Sequence, residues 1–317
     1  MKLLFRILSI LSIPALFGCS HNVCRTGEPS LEENLLEVVN RAPGTVGIAF
    51  VSDNDMVLVN NGVRFPMMSV FKMHESLAVA HTLEQKGTSL DSIISIRSTE
   101  LDPTTWSPML KTYGQNDFEI SIGELVNYAL VSSDNNASNI LFDRIVSPVE
   151  TDAFIRSVAA DTTFAIRYSE GEMKKQHDLS YLNYSSPLSA ALLIGQIFTT
   201  DIVNPTSQKA IRDALTTVTT GQDRVGSAVA GIDGVLFAHK TGSGYRNEND
   251  ELVAFNDVAY IRLPDGRDYR LAVMIRDFSG SEAEAAKIMA EISEIVYRHM
   301  TRNRDCEEVI NDCASSL

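Results

Sequence analysis

Apolar and polar positions follow two different periods along this chain, and the places where the period changes divide it into parts. Thr45 to Val51 and Met56 to Asn60 are rich in β-branched and apolar residues and are joined by Ser52-Asp53-Asn54-Asp55, which predicts a hairpin. Strand-like runs return at Gly234 to Lys240, Val253 to Leu263 and Tyr269 to Arg276, the last two linked by Pro264-Asp265-Gly266-Arg267. Between these groups, from Ser69 to about Leu215, the spacing becomes helical. Amphipathic runs cover Met73 to Gln85, Ile122 to Val131, Asn136 to Val146, Pro148 to Val158, Pro187 to Thr199 and Pro205 to Leu215, and three of them open with proline. Ser30-Leu31-Glu32-Glu33 has the form of a capping box and opens a helix that Pro43-Gly44 ends; a final helix runs from about Glu282 to Thr301. Phe164 to Ser186 lacks periodicity and reads as a long ordered loop, a kind of segment that usually carries function.

This order predicts an α+β fold, an antiparallel sheet flanked by terminal helices with an inserted all-α domain. The expected parts are a discontinuous sheet domain at 28–66 and 219–305, an all-α domain at 67–218 with an Ω-type loop at 164–186, and a tail at 306–317. Residues 1–18 read as a signal peptide: Lys2 and Arg6 precede the apolar run Ile7 to Phe17, which is too short to span a bilayer. Leu16-Phe17-Gly18-Cys19 resembles a bacterial lipobox, which would make Cys19 a lipidated first residue and a membrane tether; bulky Phe17 leaves plain secretion as the alternative. Either way the protein is expected outside the cytoplasm, in the periplasm.

A length of 317 residues with 44% hydrophobic content supports a large core. The formal net charge of −14 would repel a phosphate backbone, so nucleic acid is not an expected partner. The cysteines lie only at the ends, at Cys19, Cys24, Cys306 and Cys313. On a continuous helix Cys306 and Cys313 stand about 10 Å apart, so they pair only if the chain turns back; they are tail staples or free thiols. No two histidines have metal-ligand spacing, and no metal or cofactor is expected. His239 is expected to pack beneath its strand.

Three short motifs carry candidate chemistry. In Phe65-Pro66-Met67-Met68-Ser69-Val70-Phe71-Lys72 a serine and a lysine are three residues apart, which on a helix puts them on one face with the amine in reach of the hydroxyl. A serine activated by a lysine in apolar surroundings is a nucleophile with its base. Alone the spacing is common and fits an ordinary helix start. Ser132-Ser133-Asp134-Asn135-Asn136 alone reads as a helix cap, and Ala238-His239-Lys240-Thr241-Gly242-Ser243-Gly244 as a strand leading to a turn. Together, in the order S-x-x-K, S-D-N and K-T-G, the three are specific. The chain resembles class A serine β-lactamases over essentially its whole mature length, most closely the cephalosporin-hydrolysing, extended-spectrum-like subgroup.

That resemblance implies roles. Ser69 would attack the lactam carbonyl, Lys72 would help take its proton, and the backbone amides of Ser69 and Ser243 would form the oxyanion hole. Ser133, aided by Lys240, would protonate the leaving nitrogen, and Asn135 would bind the substrate's side-chain amide. Lys240, Thr241, Gly242 and Ser243 would receive the substrate carboxylate. Arg224, in Thr219-Thr220-Gly221-Gln222-Asp223-Arg224, would supply the arginine used there, and Trp106 would stack at the rim. The glutamate that activates water is expected at Glu170, because Asn183 and Met173 then fall where the family has a loop-closing residue and an apolar one; Glu172 would break both matches.

Departures from the family pattern carry their own expectations. Lys174 stands where many members have an asparagine that helps hold the hydrolytic water. Tyr168 and Asn183 replace an Arg and Asp that pair at the neck of the loop, so packing and neutral hydrogen bonds must hold it, in a form expected to admit bulky oxyimino-cephalosporins. The substrate would be a small-molecule β-lactam and the protein a monomer. A penicillin-binding D,D-peptidase and a non-hydrolytic β-lactam sensor share the motifs and stand as alternatives; Glu170 argues against the first, and no signalling domain is seen for the second.

Overall fold

The computed structural model describes residues 29–315, with side chains through Arg302. The proposed signal peptide, Cys19 and Cys24, and the side chains of Cys306 and Cys313 lie outside the described residues.

The first element among the described residues is α1 (Leu31–Asn40), closed at its start by the expected capping box: Glu33 N donates to Ser30 Oγ at 3.1 Å and Ser30 N to Glu33 Oε2 at 2.7 Å. Then come β1 (Thr45–Ser52), β2 (Met56–Val59), β3 (Phe65–Pro66), α2 (Lys72–Gln85), β4 (Ile93–Ile96), α3 (Met109–Tyr113), β5 (Phe118–Ser121), α4 (Ile122–Val131), α5 (Asn135–Arg144) and α6 (Pro148–Val158). The loop region follows with β6 (Phe164–Ala165), α7 (Glu170–Lys175) and β7 (Tyr184–Ser185), then α8 (Pro187–Thr199) and α9 (Pro205–Thr216). The chain closes with β8 (Leu236–Ser243), β9 (Phe255–Arg262), β10 (Asp268–Arg276) and α10 (Glu282–Ser315).

Five strands form an antiparallel sheet in the order β2-β1-β10-β9-β8, in register from Thr45 opposite Arg276 to Ser52 opposite Tyr269. Successive side chains of a strand point to opposite faces, and here both faces are covered. Val46, Ile48, Phe50, Leu271, Val273 and Ile275 pack against α1 and α10, whereas Ala49, Val258, Ala272 and Met274 face α8 and the helical half. Coverage on both sides explains why the strands read as nearly continuous apolar runs rather than strict alternation.

In the helical half, α2 differs from its sequence reading. Lys72 to Ala80 are buried on every side, including Lys72, His74, Glu75 and Ser76, because α4, α5, α6 and α9 surround this part of the helix. It is a central post and not an amphipathic surface helix. The insertion also contains strands: β4 pairs with β5 from Ile93 opposite Ser121 to Ile96 opposite Phe118, and β3, β7 and β6 form a second small sheet. Local pattern does not reveal such pairs, whose partners are far apart in the chain. The region from 306 belongs to α10 rather than to a separate tail, since the helix continues to Ser315.

Candidate active site

Ser69 sits in a single 3-10 turn, Met68–Phe71, that runs straight into α2. The residue before it, Met68, has φ of 45°, a left-handed conformation that a side chain of this size rarely adopts and that costs about 1–3 kcal/mol. The surroundings hold it there. Met67 N donates to Asn183 O at 2.8 Å, and Asn256 Nδ2 on β9 donates to Pro66 O at 2.8 Å and to Met67 O at 3.2 Å. Sheet and loop together aim the serine.

Lys72 begins α2 and is fully buried, which places its amine beneath the serine. Its Nζ donates to Ser133 O at 2.9 Å and to Asn135 Oδ1 at 2.7 Å, and it lies 3.2 Å from Glu170 Oε1. Ser69 Oγ donates to that same Glu170 oxygen at 3.0 Å. The serine therefore meets its lysine through a shared carboxylate rather than by the direct hydroxyl–amine contact the spacing suggested. Glu170 opens α7 and turns inward. Glu172 is turned the other way, into a capping box in which Ser169 N donates to Glu172 Oε2 at 2.8 Å and Glu172 N to Ser169 Oγ at 3.3 Å. That S-x-x-E spacing was present in the sequence and separates the two glutamates on local grounds.

Ser133 also has a left-handed backbone, with φ of 57°, just before the cap of α5. Asp134 is the cap: its buried carboxylate accepts from Ala137 N at 2.9 Å, Met109 N at 2.7 Å and the Ser107 hydroxyl at 2.9 Å. Asn135 therefore starts the helix, one residue earlier than the apolar pattern predicts. Asn135 Nδ2 donates to Thr105 Oγ1 at 3.0 Å, so its amide oxygen faces Lys72 and its orientation is set. Trp106 is 58% exposed at the rim, with its indole N–H donating to Ser132 O at 2.9 Å.

The opposite wall is the end of β8. Lys240 Nζ donates to Ser133 Oγ at 3.0 Å and to Thr241 O at 3.0 Å. Burial, and next the charge of Lys72, push the Lys240 amine well below the usual lysine range. At Gly242 a Cβ would lie 2.3 Å from Met67 O, so only glycine lets the strand approach the backbone ahead of Ser69 this closely. Arg224 is buried and arrives from the other side of β9: its guanidinium lies 3.6 Å from the Phe255 ring centroid and donates to Asn256 O at 2.8 Å and Ser243 Oγ at 2.6 Å. A cleft of about 650 Å³ opens on Ser69, Ser133, Glu170, Arg224, Thr241 and Ser243, with Asn135 and Trp106 at one end. Lys72, Lys240 and Gly242 stand behind its walls. Every site residue expected from the sequence within the described part is thus in one place.

The neck of the loop is held by Asn183, which is fully buried. Its Oδ1 accepts from Arg167 N at 2.8 Å and Tyr168 N at 3.1 Å, while its Nδ2 donates to Tyr168 O at 2.7 Å. Lys174 turns from the reacting atoms to Asp102 Oδ2, at 2.6 Å. His239 is buried, with Nδ1 2.9 Å from Asp257 Oδ1. Two supporting residues had escaped the sequence reading. Asn256 carries no local signal. Glu75, on α2, accepts from Ser138 Oγ at 3.1 Å, and burial raises its carboxyl well above the usual carboxylate range, against the lowering effects of Ser138 and Lys72.

Residues 30–300 match the β-lactamase enzyme family. The chain is 43% identical over 268 residues to a β-lactamase of Phocaeicola vulgatus, covering 84% of each chain. Among solved structures it is similar to a class A β-lactamase representative from Bacteroides cellulosilyticus, with a TM-score of 0.79, 27% identity, and coverage of 86% of this chain and 99% of that one. It is also similar to the TLA-3 extended-spectrum β-lactamase, with a TM-score of 0.81, 29% identity, and coverage of 85% and 98%. With the sheet, the helical half and the Ser69 cleft in hand, these likenesses settle the family: the chain belongs to the β-lactamase enzymes and is a class A serine β-lactamase.

Proposed function

We propose that Ser69 is the nucleophile with which this enzyme opens the β-lactam amide, and that Glu170 serves both halves of the cycle. The observation that carries this reading is the bond from Ser69 Oγ to Glu170 Oε1 at 3.0 Å, with Lys72 Nζ 3.2 Å from the same oxygen. In acylation the serine oxygen bonds to the lactam carbonyl carbon, its proton passes to the Glu170–Lys72 pair, and the ring C–N bond breaks. Ser133 gives its proton to the departing nitrogen and recovers one from that pair or from Lys240, whose lowered pKa favours release. The backbone amides of Ser69 and Ser243 hold the oxyanion. In deacylation Glu170 takes a proton from water, the hydroxide adds to the ester, and Ser69 regains its proton as the acid leaves.

Arg224, Ser243, Thr241 and Lys240 form a cationic, hydroxyl-lined end suited to the substrate carboxylate. Asn135 would bind the side-chain amide and Trp106 would stack over it. Cephalosporins, including oxyimino compounds, and penicillins are the proposed substrates, a reading supported by the likeness to the TLA-3 extended-spectrum enzyme. Export to the periplasm as a monomer, tethered through lipidated Cys19, completes the proposal; labelled palmitate incorporation that survives Cys19→Ala would exclude the tether.

The primary test is time-resolved mass spectrometry of the purified mature enzyme with a chromogenic cephalosporin. Many turnovers with transient mass addition are expected. Ser69→Ala is expected to show no adduct and to lose turnover by a factor on the order of 10⁴ or more. A stable stoichiometric adduct on the unaltered enzyme would instead favour a penicillin-binding or sensor role.

A further inference from the structure

The two ends of α7 are fastened in different ways. At its start, Gly171 N donates to Asn139 Oδ1 at 2.9 Å and the Ser169–Glu172 box closes the first turn, so Glu170 is fixed without help from the last turn. At its end Met173 is buried in the helical core, and the fastening on the cleft side is one half-exposed ion pair, Lys174 Nζ to Asp102 Oδ2 at 2.6 Å, supplemented by Thr104 Oγ1. Asp102 is a firm post. Its backbone N–H donates to Asn136 Oδ1 at 2.9 Å, its carbonyl accepts from Asn136 Nδ2 at 3.1 Å, and Asn136 is buried on α5. Its other carboxylate oxygen accepts from Thr104 N at 2.8 Å and Thr104 Oγ1 at 2.7 Å.

Lys174 also lines two spaces. One is the catalytic cleft; the other is a cavity of about 710 Å³ beyond α7, bordered by Asp102, Asn136, Asn139, Ser169 and Gly171. The ion pair is part of the partition between them. It stands at the end of the cleft where Thr105 holds Asn135 and where Trp106 forms the rim, opposite Arg224 and Ser243. That is the end assigned above to the acyl side chain.

The geometry points to the Lys174–Asp102 pair as a strap that closes the acyl side-chain end of the cleft and sets how large a side chain the enzyme takes. When the strap opens, the Lys174 side chain swings away while Met173 stays in the core, the second cavity joins the cleft, and branched oxyimino side chains fit. The first turn, with Glu170, stays in place, so compact substrates do not depend on the opening. This inference rests on the substrate orientation proposed above.

The Lys174 bond, then Thr104, holds the Asp102 carboxyl down to about 2. A depressed carboxylate interaction is present above the ordinary pKa and lost only as pH falls through the lowered one, so Asp102 stays ionised from pH 5 to 8. Salt is the better lever, since a half-exposed pair is screened as the Debye length shrinks to about 3 Å near 1 M.

The test compares kcat/KM for a cephalosporin with a compact side chain and one with a branched oxyimino side chain. Asp102→Asn is expected to raise the branched-to-compact ratio by about three- to fivefold, mainly through a lower KM for the branched compound, the scale of an exposed ion pair. Lys174→Met is expected to raise the ratio similarly, and the double variant no further. In the unaltered enzyme 1 M salt is expected to raise the ratio, and in Asp102→Asn to leave it. An unchanged ratio in both single variants, additive effects, or equal salt responses would overturn the strap. Absence of turnover of the compact compound by the unaltered enzyme would instead defeat the catalytic reading on which it rests.

Discussion

The two long walls of the cleft are built to different standards. The β8 wall is paired along its whole length with β9, from Leu236 opposite Arg262 to Ser243 opposite Phe255, and carries Lys240 and Thr241 in full burial with Arg224 clamped behind them. The α7 wall is a six-residue helix in an irregular segment, fastened by Asn183, Asn139 and its own cap, by buried Met173 and, on the cleft side, by one half-exposed ion pair. A sheet strand cannot shift its side chains without breaking its ladder, so it suits groups that must receive an invariant carboxylate. A loop can be refastened without disturbing the core, so it suits the part of a substrate that varies. Glu170, proposed above as a reacting group, is the exception on the adaptable kind of wall, and its end of α7 is fastened by the Asn139 bond and the Ser169–Glu172 box.

The comparison can be broken most severely at Glu170. Glu170→Ala is expected to slow deacylation by about 10³-fold and acylation by less, since Lys72 remains beside Ser69 as a proton acceptor, so the adduct accumulates in the mass spectrum. Equal loss of acylation would mean that the loop wall serves the first half of the cycle as much as the second. On the β8 wall, Arg224→Ala removes a charge-assisted donor and is expected to raise KM by about ten- to a hundredfold with little change in kcat, for compact and branched substrates alike. A side-chain-dependent effect there would erase the distinction between the walls. A smaller effect is expected at the neck. Asn183→Ala leaves the Arg167 and Tyr168 amides and the Tyr168 carbonyl without their partner and is expected to cost about 1–3 kcal/mol, read from the urea midpoint, with faster proteolysis inside 164–186. The Asp102→Asn ratio is the finest probe, because it addresses only the last turn of α7.

Neither wall would stand without features that give no local sign. The left-handed Met68 ahead of Ser69 is held from β9 by Asn256, and the α2 post holds four polar side chains, Lys72, His74, Glu75 and Ser76, inside the protein. Glu75 belongs to a residue type that is mostly exposed. Packing by four neighbouring helices puts it inside, where its bond to Ser138 and the charge of Lys72 offset part of the cost of burial.

What the sequence determined by itself are features written within a few residues of one another. The Ser30, Ser121, Ser147 and Ser169 capping boxes, the prolines opening α6, α8 and α9, and the strand runs each rest on contacts three or four residues apart or on side-chain periodicity. The three motifs were legible for the same reason, since each is a short string, and their order carried the family resemblance. What only the tertiary structure decided are encounters between distant strings. Ser69 meets Glu170 across 101 residues, Lys240 meets Ser133 across 107, and Asn256 meets Pro66 across 190. The pairing of β4 with β5, the burial of Lys72 to Ala80 on all sides of α2 and the fastening of Lys174 to Asp102 belong to the same class. Local hydrogen bonds depend on residues already adjacent in the chain. These distant ones exist only after the hydrophobic packing of both halves has brought their backbones together, and no single stretch of sequence contains that condition.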